Sequence, residues 1–379
     1  MELIKKNRPR IDYLDIAKAI TIFLVMIGHG AETGISPEFK RILYTFHMPL
    51  FFMVSGVVTR RHRSSGYGKE HWKEFMKSNL LSLVLPYFLW ALIYSAFNYN
   101  IIPCILYGSW QTLRTAETLS SLWFLTCLFV ARILMELVLM SSNLFKKLDR
   151  HLYALIIAAV SFGISFLFPS IEIGYPWCFN SAFSALGFML VGYAIKEKIL
   201  LLQKKPFYVH ILFLIGFLGL FTFGILIQGE EIFYVNLYSG VYGPPHLFFL
   251  NAFSGIGAVL SISVILAKIW EKRKESKAKK VVLWIGKHTI EIFLLHKPLL
   301  QQVILKIFAA CGVPLPGLLP SICGAVITLP LCCLLILGIE RIIPQVFGKF
   351  PKRNKLTVTD PEEEALSERT PSNDDPDLS

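Results

Sequence analysis

Lys18 and His29 have residue types and a spacing that suit group transfer. They lie eleven residues apart in one apolar segment. In a helix this is close to three turns and roughly 16 Å, so their side chains share one face. A neutral imidazole can accept a proton from a hydroxyl as a general base, or act as a nucleophile. Both routes remain open here. Gly28 and Gly30 flank His29, which predicts open space for a substrate around its ring.

Asp15 is the third ionisable residue of this segment. It lies nearly one turn before Lys18 and is too far from His29 to complete a catalytic triad with it. We therefore assign Asp15 to helix packing or to a pair with Lys18. In that structural alternative, Lys18 extends its long side chain toward the aqueous boundary.

The second apolar segment contains a histidine, a proline and two small residues. His47 is either a hydrogen-bonding partner for a neighbouring helix or part of a reactive site. Pro49 frees a backbone carbonyl that another group must satisfy. Ser55 and Gly56 predict close approach of a second helix.

Arg60 and Arg63 follow the second segment and lie one turn apart if its helix continues. Their guanidinium groups could then bind a phosphate together. The alternative is a basic cluster, shared with Arg61, that only anchors the chain at a membrane surface.

A late apolar segment carries Lys287, Glu291 and His296. Lys287 and Glu291 have the i, i+4 spacing of a helical ion pair, which would be a structural role. Ionisable groups within a membrane are costly, so Glu291 and His296 are also site candidates. The histidines are too dispersed to predict a metal site.

The composition requires that these residues sit in membrane-spanning helices. The chain has 379 residues, of which 54% are hydrophobic and 17% charged, with a mean hydropathy of +0.56. Runs of roughly 20 apolar residues can cross a bilayer, and ten such runs occur, at about 14–30, 42–58, 80–99, 121–140, 152–168, 180–195, 207–228, 247–267, 281–308 and 318–338. No basic-aromatic module accompanies the net charge of +12, which argues against nucleic-acid binding.

The loops alternate in basic content. Thirty Lys and Arg residues fall in the N-terminus, the even-numbered loops and the C-terminal segment, against three in the other loops. Basic loops remain in the cytoplasm. The sequence therefore predicts an all-α polytopic protein of about ten transmembrane helices with both termini in the cytoplasm. Residues 346–379, which turn acidic from Asp360, are predicted to form a disordered cytoplasmic tail.

These segments together resemble the acyltransferase family 3 membrane proteins, in particular the branch related to fucose 4-O-acetylases. The resemblance covers roughly residues 10–345, the predicted transmembrane acyltransferase domain. This chain differs from the usual family pattern in having Phe293 where the family usually has Tyr, and we see no appended hydrolase domain. The matching motifs are Lys18 with His29, Phe46 to Gly56, Arg60 with Arg63, Trp123-Phe124-Leu125, Pro176 to Tyr193, and Gly286 to His296.

The resemblance implies transfer of an acyl group, usually acetyl, from acyl-CoA to a sugar hydroxyl of a cell-envelope glycan or a lipid-linked precursor. His29 would be catalytic, while Lys18, Arg60 and Arg63 would bind the donor. Further site or supporting residues would be Asp15, His47, Ser55, Trp123, Glu291 and His296. Acetyl-CoA would be a substrate, with no bound cofactor or metal, in a bacterial inner membrane. A transporter or flippase is the alternative function. It predicts inverted repeats, which we do not find between residues 1–190 and 191–345.

Overall fold

The chain is helical throughout the part that the computed structural model describes. That part comprises residues 11–30, 37–59, 68–115, 117–145, 147–228, 235–272, 276–313 and 317–350. No strand occurs in these ranges, and an isolated bridge between Asn236 and Val241 is their only strand-like pairing. The predicted all-α class is confirmed.

Within the described ranges, ten helices are long and apolar enough to cross a membrane, which confirms the predicted number of about ten. We number them spans 1 to 10 in chain order: Asp12–Gly30, Arg41–Val58, Lys69–Tyr94, Thr118–Ser141, Arg150–Leu167, Pro176–Ala194, Phe207–Leu226, Pro245–Glu271, Thr289–Ala310 and Leu318–Ile342. Successive spans run in opposite directions. We name the two sides of the bundle after the ends of span 1. The Asp12 side holds the starts of odd-numbered spans and the ends of even-numbered spans, and the Gly30 side holds the opposite ends.

The ninth predicted segment divides into two helices. Lys277–Lys287 is a separate amphipathic helix, and span 9 begins only at Thr289. His288 between them leaves helical geometry, with φ −108° and ψ 28°. The first helix carries three lysines in its first four residues, so its polar face remains at the surface of the bundle.

Span 2 also contains a break, between helices Pro37–Tyr44 and His47–Val58. Pro49 lies in the first turn of the second helix, where a missing N–H leaves no intrahelical bond unmade. The prediction that Pro49 frees a helix carbonyl, to be satisfied by a neighbouring helix or a side chain, is wrong for this reason.

Span 1 lies at the centre of the bundle. It packs against spans 2, 8, 9 and 10 and against helix Lys277–Lys287. Span 7 lies at the periphery, where Leu212, Ile215 and Leu226 are each more than 60% exposed. Such outward apolar side chains are stable only against hydrocarbon.

Short helices cover the Gly30 side between spans 3 and 4. Ser109 donates from Oγ to the Ile173 carbonyl (2.6 Å), and the Tyr107 hydroxyl donates to the Gly174 carbonyl (2.9 Å). These bonds attach the cover to the loop before span 6. The short elements and local turns are Tyr99–Ile101, Ile102–Tyr107, Trp110–Leu113, Glu117–Leu122, Pro176–Cys178, Lys196–Leu200, Leu202–Lys204 and Pro344–Phe347, with π-helical turns at Leu80–Val84 and Leu300–Ile304.

Candidate active site

Two histidines from different spans face each other on the Gly30 side. His29 lies in the last turn of span 1 and is half-buried. His296 of span 9 is fully buried, and the two ring centroids are 5.1 Å apart. Gln301, from the same span as His296, donates from Nε2 to the His29 carbonyl (3.0 Å). Span 9 thus holds both the end of span 1 and the second imidazole.

The hydrogen bonds of His296 define its tautomer. Its Nδ1 lies 2.8 Å from the Phe293 carbonyl oxygen. A carbonyl can only accept, so Nδ1 carries the proton and Nε2 of the neutral ring has a lone pair. Nε2 is buried and has no hydrogen-bond partner among the described residues. An unpartnered buried acceptor is costly, and such an atom beside His29 is a candidate for holding a reacting proton.

His47 belongs to the same region. Its ring meets the Tyr44 ring edge-on, with centroids 5.1 Å apart. Tyr44 in turn packs on Gly28 of span 1. His47 Nδ1 bonds the Leu43 carbonyl at 2.5 Å, within its own segment. It therefore does not use Nδ1 to bond a neighbouring helix.

The glycines beside His29 do not provide open space, and that prediction is wrong. A Cβ on Gly28 would lie 3.2 Å from the Tyr44 ring, and one on Gly30 would lie 3.0 Å from Ser321 Cβ. Both glycines instead allow spans 2 and 10 to approach span 1 closely. Close approach is the usual role of small residues in membrane helices.

Lys297 and Ser120 are polar residues of this region that the sequence analysis did not select. Lys297 is 3% exposed, and its Nζ donates to Ser120 Oγ at 2.6 Å. Ser120 lies in the turn Glu117–Leu122, directly before Trp123. The cost of a charge inside a membrane was the signal that could have identified Lys297.

At the other end of span 1, Lys18 and Asp15 form an ion pair. Their Nζ and Oδ1 atoms are 2.8 Å apart, and the Asp15 side chain is 5% exposed. The second assignment considered for Asp15, a pair with Lys18, is therefore confirmed. The Asp15 backbone also fits against Gly286, where a Cβ would lie 2.0 Å from the Asp15 carbonyl oxygen.

Glu291 does not join the histidines. Its carboxylate pairs with Lys349 Nζ at 2.5 Å, and the same ammonium lies 2.5 Å from Glu340. Lys287 is exposed, and Glu291 pairs with Lys349 instead of with it. Burial acts to lower the pKa of Lys349, but hydrogen bonds to the two carboxylates outweigh it and raise that pKa.

His288, Glu291 and Glu340 offer ligand atoms within 4.8 Å of one another, a convergence that the sequence analysis did not foresee. The Lys349 ammonium contacts both carboxylates and supplies the positive charge that a metal ion would bring. This donor set therefore fits a lysine-centred ion cluster better than a metal site.

The remaining predicted residues lie apart from the histidine pair. Gly56 packs on the span 6 backbone, where a Cβ would lie 1.9 Å from the Met189 carbonyl oxygen, and Ser55 adjoins it. Trp123 is buried at the start of helix Trp123–Ser141. Arg60 and Arg63 lie outside the described residues.

A polar cluster adjoins Thr59, the last described residue before Arg60. The Thr59 carbonyl accepts from Lys196 Nζ (2.7 Å), and its hydroxyl contacts the Met135 sulfur. In the next residue of span 4, Glu136 pairs with His71 at 2.7 Å. Arg132, one turn earlier, donates to Asn79 Oδ1 (3.0 Å). Basic groups thus gather at the Asp12 side.

Comparison with known proteins identifies the family. One curated relative is nodulation protein NolL from Mesorhizobium japonicum, 28% identical over 187 residues. The alignment covers 46% of this chain and 46% of NolL, so it spans about half the length of that relative. No solved structure matches the chain. The family described as an acyltransferase domain matches residues 11–337. The chain therefore belongs to acyltransferase family 3, and ten of its described helices are long and apolar enough to cross a membrane.

Proposed function

We propose that the protein transfers an acyl group, most simply acetyl, from acyl-CoA to a sugar hydroxyl of a cell-envelope glycan or its lipid-linked precursor. The observation that carries the proposal is the pair formed by half-buried His29 and buried His296, in which His296 Nε2 offers a lone pair with no partner among the described residues. Hydroxyl acylation needs a group that removes a proton from the hydroxyl, and a neutral imidazole at this position can do so.

The two ends of span 1 suit the two substrates. Coenzyme A carries phosphates, and the Asp12 side bears Lys18 as well as the basic groups near Thr59. Arg60 and Arg63 follow Thr59 directly in sequence. In the proposal, Lys18, Arg60 and Arg63 bind the donor phosphates, and the thin pantetheine arm extends between helices toward His29.

In the direct route, the His29 imidazole takes the proton as the sugar oxygen attacks the thioester carbonyl. The tetrahedral intermediate then collapses, the carbon–sulfur bond breaks, and the departing thiolate receives the proton from the imidazolium. His296 orients His29 and stabilises its charged form. In the other route, His29 attacks the thioester first, and the carbon–sulfur bond breaks to release the thiolate and leave an acyl-imidazole. The sugar oxygen then attacks the acyl carbon, the carbon–nitrogen bond breaks, and the hydroxyl proton passes to the thiolate. Neither route requires a metal or a bound cofactor.

The test uses membrane vesicles containing the full chain, radiolabelled acetyl-CoA and envelope glycans from a deletion strain. We expect label in the glycans, and mass spectrometry of glycans from intact cells should find acetyl groups that the deletion strain lacks. Replacing Arg60 and Arg63 together by Ala should raise the KM for acetyl-CoA. The control, Lys73→Ala with Lys77→Ala, removes equal charge from nearby exposed positions. The proposal fails if wild-type vesicles transfer no acetyl group and glycans of the two strains are identical.

A further inference from the structure

An aromatic stack joins two loops on the Gly30 side. Trp110, from the short helix after span 3, lies face to face with Tyr238, from the loop before span 8. Their centroids are 4.2 Å apart and their planes differ by 23°. Trp123 meets the Tyr238 ring edge-on at 5.9 Å. We call Trp110, Tyr238 and Trp123 the outer stack.

Polar groups border these rings. Trp110 and Tyr238 are half-buried, so part of each remains accessible. The guanidinium carbon of Arg114 lies over the Trp110 ring, 5.1 Å from its centroid. The Tyr238 hydroxyl donates to Asn236 Oδ1 (3.0 Å). Accessible aromatic surface thus lies beside a guanidinium and a side-chain amide.

The outer stack is connected to the histidine pair. Trp123 follows the turn Glu117–Leu122, in which Ser120 accepts a hydrogen bond from Lys297. Lys297 is the residue after His296 in span 9. Beyond Trp123, Phe124 contacts Phe293 at 5.0 Å, and Phe293 contacts His296 at 5.4 Å. The turn Glu117–Leu122 and the side chains of Phe124 and Phe293 therefore connect the outer stack to the histidine pair.

We propose that the outer stack is a binding subsite for one pyranose ring of the acceptor, with Arg114 and Asn236 bonding its hydroxyls. A pyranose has an apolar C–H face and a polar rim, and the half-buried rings offer apolar surface with a guanidinium over Trp110 and a side-chain amide beside Tyr238. The proposal rests on the proposed function. It adds that the acceptor enters at the Gly30 side, opposite the donor, so that the two substrates meet at His29.

The test measures binding of methyl glucoside, galactoside, fucoside and N-acetylglucosaminide to detergent-solubilised full-length protein by saturation-transfer NMR. We expect at least one pyranoside to bind the wild type. Tyr238→Ala should weaken that binding about tenfold, the loss expected for roughly one aromatic contact, whereas Tyr238→Phe should keep most of it. Tyr238→Leu preserves volume without the aromatic face and should behave like Tyr238→Ala if the latter does not fold.

The matched control is Tyr175→Ala. Tyr175 is a half-buried aromatic residue of another Gly30-side loop, like Tyr238, and contacts Phe168 at 5.0 Å. It should leave binding unchanged. If no pyranoside binds, or if the Tyr238 variants bind like wild type, the subsite is refuted even where acetyl transfer occurs. Absence of acetyl transfer would refute the proposed function separately.

Discussion

At the residue scale, the candidate site depends on which imidazole nitrogen carries a proton. The Phe293 carbonyl determines this for His296, because a carbonyl accepts and never donates. His296 therefore presents a bare Nε2 in the buried space beside His29. Such a backbone bond is a common way to fix a histidine tautomer.

Replacing His29 by Ala or Gln should lower acyl transfer at least about 100-fold, because the group that accepts the hydroxyl proton is lost. Insertion and folding should persist. Initial rates in vesicles measure the loss of transfer. The control is His151→Gln, at an exposed position. Near wild-type transfer by inserted His29→Ala would exclude this residue and move the base role to His47 or His296.

Two replacements of His296 distinguish the roles of its two ring nitrogens. Asn can place its amide nitrogen near the Nδ1 position and donate to the Phe293 carbonyl, but it lacks any group at Nε2. Gln can place a polar atom near Nε2 and loses the Nδ1 bond. If Nε2 orients His29, His296→Gln should retain about tenfold more activity than His296→Asn. The kcat values of the two variants, measured side by side, test this expectation. Equal values would assign His296 a packing role.

At the element scale, glycines set the distance between helices. Gly56 of span 2 contacts the Met189 backbone of span 6, and Gly192 of span 6 contacts the Met53 backbone of span 2. These reciprocal contacts leave no space for side chains at either position. Spans 2 and 6 therefore pack backbone to backbone, which favours association in lipid.

Gly56→Ala should destabilise the protein by about 1–3 kcal/mol, because its Cβ would overlap backbone that cannot move independently. Gly163→Ala in span 5 is the matched control, since no atom lies within 4 Å of its added Cβ. It should be neutral or stabilising by up to about 1 kcal/mol. The midpoints of thermal unfolding in detergent compare the two variants with the wild type. Equal midpoints would show that the two spans separate at little cost.

The segment after span 10 fastens three spans together on the Asp12 side. Phe347 stacks on Trp90 of span 3 with centroids 5.6 Å apart, and the Trp90 indole donates to the Val346 carbonyl (3.0 Å). Lys349 then pairs with Glu291 of span 9 and Glu340 of span 10.

Lys349→Met should cost about 1–2 kcal/mol of stability. This is less than the 3–5 kcal/mol of a fully buried pair, because the lysine side chain is 40% exposed. The raised pKa of Lys349 means that its contribution is full below the ordinary lysine pKa and is lost as pH rises through the raised value. Unfolding midpoints of wild type and variant should therefore converge above about pH 10.4. Lys198→Met, at an exposed site, is the control. If the difference between the two unfolding midpoints stays constant as pH rises above about 10.4, the ion cluster is excluded as the cause of that difference.

At the scale of the whole molecule, the central span 1 carries polar pairs toward both of its ends. The Lys18–Asp15 pair and the His29–His296 pair occupy opposite ends of that span. A donor and an acceptor on different sides of the membrane could therefore meet within one bundle, provided that the Asp12 side faces the cytoplasm.

Reporter fusions test this orientation. Fusions at Lys5, Glu70, Lys147, Lys204 and Lys274 should report the cytoplasm, because basic loops are retained there. Fusions at Glu38, Glu117, Glu172, Glu230 and Gly312 should report the outside. Paired alkaline phosphatase and fluorescent protein reporters at each site provide internal controls. Contradictory results at two adjacent sites would rule out the predicted orientation.

The sequence by itself determined the all-α class and the number of spans. It also identified several ionisable residues inside those spans. Span length is a local property, because a run of apolar residues either covers the hydrocarbon thickness or does not. His29, His296 and the Lys18–Asp15 pair could be identified for a related reason: ionisable residues in apolar runs are costly wherever the helices pack.

Only the tertiary structure decided which of these residues meet. Glu291 and His296 are five residues apart on span 9, and a helix turns about 100° per residue, so they point in different directions. His296 faces His29, whereas Glu291 pairs with Lys349, distant in sequence, and not with Lys287, one turn away. Whether Gly28 and Gly30 bordered open space depended on Tyr44 and Ser321. These outcomes depend on how separate helices pack, which the local pattern of one segment does not encode.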